Sequence, residues 1–62
     1  MNNIRVETWF ERDRANITVY KDDEEIFSVW DENAAELVED GFLNPRDWEG
    51  SAIEYCQYLG LL

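Results

Sequence analysis

The chain has 62 residues, with 15 Asp and Glu against 5 Lys and Arg and no histidine, so its formal charge is −10. That length limits it to one domain, and a domain of this size buries only about 60% of the surface its unfolded chain exposes. The charge disfavours polyanionic partners such as nucleic acid or anionic lipid, and the small core leaves no room for a closed ligand cavity of several hundred Å3.

Strands come first. Ile4, Val6, Thr8 and Phe10 alternate with Arg5, Glu7, Trp9 and Glu11, a period of two. Glu11-Arg12-Asp13-Arg14 is a polar break of hairpin length. Ala15, Ile17 and Val19 then alternate with Asn16, Thr18 and Tyr20, and Asp22-Asp23-Glu24 is a second turn. Residues 25–30 are rich in β-branched and aromatic side chains and predict a third strand. Consecutive strands with short links predict an antiparallel meander.

Helices follow. Asp31 is the expected cap of a helix over 32–40, and Gly41 its left-handed stop. At 100° per residue Ala34, Ala35, Leu37 and Val38 gather on one side, and Glu32, Glu36, Glu39 and Asp40 opposite. Asn44-Pro45 is a second start signal, which Gly50-Ser51 is expected to interrupt. Ser51 with Glu54 fits a capping box for a last helix from about Ala52 to Leu59, stopped by Gly60, with Ala52, Tyr55, Cys56 and Leu59 inward.

The expected architecture is α+β, a single domain over 1–62. A three-stranded antiparallel meander (1–30) is covered on one face by two short helices (31–62), in the order β-β-β-α-α. The other sheet face has no third layer. Trp9 and Tyr20 point to it, joined by either Ile26 and Trp30 or Phe27 and Val29, because both phases of strand three are apolar. Trp48 is expected to plug the end of the core.

Chemistry of the common enzymatic kinds finds no constellation. Cys56 is the only cysteine, has no histidine to activate it, and reads as a small core residue. Zinc lacks its usual ligands, and neither Asp22-Asp23-Glu24-Glu25 nor Asp31-Glu32-Asn33 fits an EF-hand loop. An acid–base pair needs burial or a close neighbour to set its members apart, and the carboxylates are expected on turns and on a helix's polar face, within reach of solvent. No cofactor is expected, and the chain reads as a non-enzyme. A lone cysteine favours a reducing cytoplasm. The Met1-Asn2-Asn3 opening is not a signal peptide, no apolar run spans a membrane, and the ends at Met1 and Leu61-Leu62 read as those of a whole small gene product.

Charge is uneven. Residues 22–40 hold nine acids and no base, giving −9, against +1 for 1–21 and −2 for 41–62. Asp22, Asp23, Glu24, Glu25, Glu32, Glu36, Glu39 and Asp40 are therefore the candidate contacts to a basic partner, expected to be the nucleic-acid-binding surface of a nuclease or regulator. Trp9, Tyr20 and Trp30 are candidate anchors on an aromatic sheet face, the basis of an alternative reading as a homodimeric structural or regulatory module. In size and acidity the chain resembles the small DNA-mimic inhibitors that phages and plasmids use against host nucleases, and it resembles acidic antitoxins. That resemblance implies an inhibitor on a mobile element. It rests on no shared motif, so it assigns no site residue.

Overall fold

The computed structural model describes residues 3–62; Met1 and Asn2, and the reading of them given above, lie outside the described residues. Strands β1 (Ile4–Glu11), β2 (Arg14–Lys21) and β3 (Glu24–Trp30) form one antiparallel sheet in that order, followed by helices α1 (Asp31–Glu39) and α2 (Trp48–Tyr58). This is the expected α+β arrangement. Both links are tighter than the predicted polar breaks. Glu11 pairs with Arg14 and Lys21 with Glu24, leaving two-residue turns. Asp22 and Asp23 have φ of 53° and 66°. Left-handed backbone at both central positions marks a type I′ turn, whose twist matches that of the strands. Aspartate tolerates it because its short side chain bonds locally. The Asp22 carboxylate accepts the Asn3 backbone N–H at 3.1 Å.

Register assigns the two faces. Val6 opposes Val19, Thr8 opposes Ile17, and Ile17 opposes Val29, so these point toward the helices. Arg5, Glu7 and Trp9 with Tyr20, Thr18 and Asn16 point away. Strict alternation offered strand three only two choices. A β-bulge evades both. Val19 pairs with Phe27 but Tyr20 pairs with Glu25, so Ile26 is an extra residue. Ile26, Phe27 and Val29 all reach the core, while Trp30 turns outward opposite Asn16. An extra residue resets the side-chain period, which is how one strand places three apolar groups on one side.

The core consists of Ile17, Val19, Val29, Ala34, Leu43, Ala52 and Cys56, every one of them buried. The residues are small to medium in size, and the rings lie around them. Trp48 is half-buried against the cluster and tilts onto Phe10 with ring centroids 5.4 Å apart, as the expected end plug. Leu43, in the loop between the helices, was not legible as a core residue because no periodicity places it.

The helix ends divide into two kinds. Both glycine stops are as expected. Gly41 has φ 85°, its N–H bonds the Val38 carbonyl, and the Phe42 N–H bonds that of Leu37. Gly60 repeats the pattern with Gln57 and, through Leu61, Cys56. These are Schellman caps. The starts differ from expectation. Asp31 is the first residue of α1, not its cap; Trp30 takes the cap position without a side-chain bond, and Asp40 is the C-cap. The second helix begins at Trp48, capped by Asp47, whose carboxylate accepts the Gly50 N–H at 3.0 Å. Asn44 and Pro45 belong to a turn, in which Asn44 Oδ1 accepts the Arg46 N–H. Gly50-Ser51 does not interrupt α2, and Ser51 caps nothing. Its buried hydroxyl donates back to the Asp47 carbonyl (2.6 Å) and accepts the Asn44 N–H (3.0 Å). Leu59, expected inward, is the exposed C-cap.

Glycine at 50 has a specific reason. A Cβ there would collide with the Asp47 carboxylate that caps the helix. Gly→Ala inside a helix usually stabilises by ~1 kcal/mol, and loss of an Asp cap costs about the same. Gly50→Ala should therefore change stability little in the native chain, yet stabilise an Asp47→Ala variant by about 1 kcal/mol. Urea denaturation of the four-member cycle measures this; equal effects in both backgrounds would contradict it.

Candidate interaction surfaces

The eight candidate acids fall into two groups. Asp22, Asp23, Glu24 and Glu25 lie at the β2–β3 turn. Glu32, Glu36, Glu39 and Asp40 lie along α1, which starts at the other end of β3, roughly 20 Å away at 3.3 Å per residue. The turn group is partly engaged: Asp22 holds the Asn3 N–H, and Asp23 faces the Arg5 guanidinium at 3.4 Å. The helix group is free. All four side chains are exposed, and among the described residues the ion pairs are Arg5–Glu7, Arg5–Asp23 and Arg14–Asp31, none on this group. At 100° per residue, positions 39, 32, 36 and 40 fall within an arc of about 100°. Glu36, Glu39 and Asp40 also crowd the C-terminal end of α1, where no base lies in the last turn. Carboxylates there oppose the helix dipole.

The aromatic candidates also divide. Trp9 and Trp30 flank Asn16 in register and meet edge to face, with centroids 6.5 Å apart. Tyr20 is not with them. It lies two pairs along the strand under the Arg5 guanidinium, whose carbon is 4.4 Å from the ring centroid. Between them lies a polar cycle. The Asn16 amide donates to the Ser28 hydroxyl (3.0 Å), and the Thr18 hydroxyl donates to Asn16 Oδ1 (2.8 Å). Ser28 and Thr18 are 3.2 Å apart and close the ring. Thr18 is buried although it points away from the helices. Long neighbours thus cover the centre of this face, leaving one exposed Trp–Trp pair in place of a continuous apolar sheet.

Two features were not read from the sequence. One is a ring cluster in which Tyr55 contacts Phe27, Phe42 and Tyr58 at centroid distances of 5.6, 4.9 and 6.2 Å. Phe42 enters it only because the Schellman turn at Gly41 folds it back. The other is an open groove of about 510 Å3 between the β1–β2 hairpin and α1, with Phe10, Ala15, Ala35, Val38, Pro45 and Trp48 along it. Helix packing against β2 and β3 leaves this wedge because the hairpin reaches beyond the end of β3. A second, acidic depression of about 430 Å3 adjoins it, formed by Asp13, Trp30, Asp31, Glu32 and Asn33. Asp13 and Asp31 border both.

Cys56 is fully buried in the core, and burial pushes its thiol pKa up because the thiolate loses solvation. Among the described residues no helix is long and apolar enough to cross a membrane, and no group of three or more Cys, Asp or Glu is placed to hold a metal ion. Comparison with protein-family models, curated proteins and solved structures gives no match.

A raised thiol pKa in the folded state means that stability is full at neutral pH and declines once the unfolded thiol ionises, above pH ~8.5. The Cys56 thiol should react with an aromatic disulfide reagent only as fast as the chain opens, and Cys56→Ala should flatten that part of the alkaline stability profile. Rapid labelling of the native protein at pH 8 would contradict the burial.

Proposed function

We propose that the protein is a non-enzymatic interaction protein whose α1 face binds and blocks a basic protein surface of the kind that holds nucleic acid. The observation that carries this reading is the uncompensated state of Glu32, Glu36, Glu39 and Asp40. They share one exposed arc without a cation, and three of them oppose the helix dipole. Solubility alone requires charge but not its concentration on one face. The body measures 35 × 21 × 17 Å. A DNA duplex 35 Å long carries about 20 phosphates, so a net −10 supplies about half that density. Imitation is therefore of a short local stretch, matched to a basic groove and not to a long duplex track. Charge complementarity of this kind raises association rate and specificity and is weakened by salt.

The alternative, a module that self-associates through the outer sheet face, draws on the exposed Trp9–Trp30 pair. Contact there is restricted to one end of the sheet, and two copies of charge −10 repel.

Partners captured from host lysate on the immobilised protein, eluted by a salt gradient and identified by mass spectrometry, should be basic nucleic-acid-binding proteins that leave at moderate salt. The triple reversal of Glu32, Glu36 and Glu39 to lysine should not retain them. Glu39→Lys alone should weaken capture while stabilising the fold by about 0.3–1 kcal/mol, because it places a cation at the helix C-terminus. Retention indifferent to salt and to the reversal would overturn the proposal, and loss of self-association in Trp9→Ala would favour the alternative.

A further inference from the structure

Resting on that reading, we propose that the groove between the β1–β2 hairpin and α1 is the specificity pocket of the acidic surface, and that it takes an aliphatic side chain lying next to an arginine or lysine in a basic partner segment. The floor is apolar: Phe10 is half exposed, Trp48 backs it, and Ala35, Val38 and Pro45 complete the walls. Its size, about 510 Å3, fits one or two side chains and not a folded element. Charge around it selects the neighbour. Asp13, Asp31 and Glu32 line the adjoining depression without a cation, beside the exposed face of Trp30. Asp31 is already shared with Arg14 at 3.6 Å, which leaves Asp13 and Glu32 free to meet a partner's cation. Trp30 offers a ring for a cation to sit over.

The two depressions touch, so adjacent side chains of one chain reach both. The helix links them to the charged arc. At 100° per residue Ala35, on the groove, is followed around α1 by positions 39 and 32, then 36. One partner segment crossing α1 therefore meets apolar floor first and carboxylates next. Arg12, at the hairpin tip, is the one cation on the groove's rim not seen in an ion pair among the described residues. Across the groove and the adjoining depression, Arg12 and Arg14 stand against Glu11, Asp13, Asp31 and Glu32; with Arg14 on Asp31, Arg12 is left against Glu11, Asp13 and Glu32, so the balance favours a cationic occupant.

The test is an NMR titration of the full chain with three capped peptides: Gly-Lys-Leu-Arg-Lys-Gly, the same peptide with glycine for leucine, and Gly-Glu-Leu-Glu-Glu-Gly. The leucine peptide should bind about tenfold tighter than its glycine counterpart, the order expected for burying one aliphatic side chain. It should shift the Ala35 and Val38 amides and the Trp48 indole N–H. Ala35→Leu, an exposed helix position that tolerates the change, should fill the groove and erase the tenfold preference while leaving the glycine peptide unaffected. Asp13→Asn with Glu32→Gln should weaken both basic peptides several-fold and keep the preference. Equal binding of the two basic peptides, or no effect of Ala35→Leu, overturns the groove and leaves the acidic-face reading standing. Tightest binding by the acidic peptide overturns the groove assignment in favour of Arg12. Failure of both basic peptides to bind overturns the pocket together with the reading beneath it.

Discussion

The arrangement of the helical half depends on how β3 becomes α1 with no residue between them. Trp30 ends the strand and Asp31 begins the helix. The chain must reverse its course over the sheet in one step, and Asp31 does so with φ of 40°. For a residue with a Cβ this costs about 1–2 kcal/mol. The side chain offsets it. Its carboxylate accepts the Ala15 N–H at 2.8 Å, supplying the partner that β3 no longer provides at that point of β2. Arg14 then approaches the second oxygen. The bond ties the corner to the hairpin, holds α1 across β2 and β3, and directs its carboxylates to solvent. It also sets the width of the wedge between helix and hairpin.

Small size shapes the rest. Among the described residues, this 62-residue chain buries seven apolar residues in its interior, none of them aromatic. Its nine rings are therefore distributed over the rim and surface, in pairs and clusters that cover the core edges. Phe10 on Trp48 closes one end, and Tyr55 gathers Phe27 and Phe42 beside α2. Exposed rings in so small a domain are thus a consequence of geometry before they are a sign of partners. What marks the hairpin–α1 groove apart from the other ring sites is its concavity together with the charge around it.

Charge on α1 works against the helix that carries it. Glutamates four apart repel, and those of the last turn oppose the dipole. The fold tolerates this because α1 is held by its buried face and by Asp31, and because Gly41 satisfies its final carbonyls. Stability is secured at the ends of the helix and on its inner side, which frees the outer arc to carry carboxylates without a paired cation among the described residues. The sheet face behind it has the opposite design, with its polar groups tied into a closed cycle.

Local pattern in the sequence determined the order of elements. Period-two alternation marked the first two strands and β-branched and aromatic content the third, Asp22-Asp23 marked a turn, the wheel of Ala34, Leu37 and Val38 against Glu32, Glu36 and Glu39 marked α1, and Gly41 and Gly60 marked both helix stops. Each of these depends on contacts within a few residues along the chain. Tertiary structure alone decided the rest. Asp31 reads locally as a cap, but the N–H it accepts belongs to a residue sixteen positions away. Asp47 takes the cap of α2 and Ser51 is drawn into the interior, since burial against the sheet extends the helix past its local start signals. The bulge at Ile26 brings Ile26 to the same side as Phe27 and Val29, which no alternation could show, because an inserted residue is favoured only by what the core on the far side requires. The groove exists in none of its parts. It arises where a hairpin outruns its neighbour strand and a helix crosses beneath it, so residues from four segments meet only after the chain has packed.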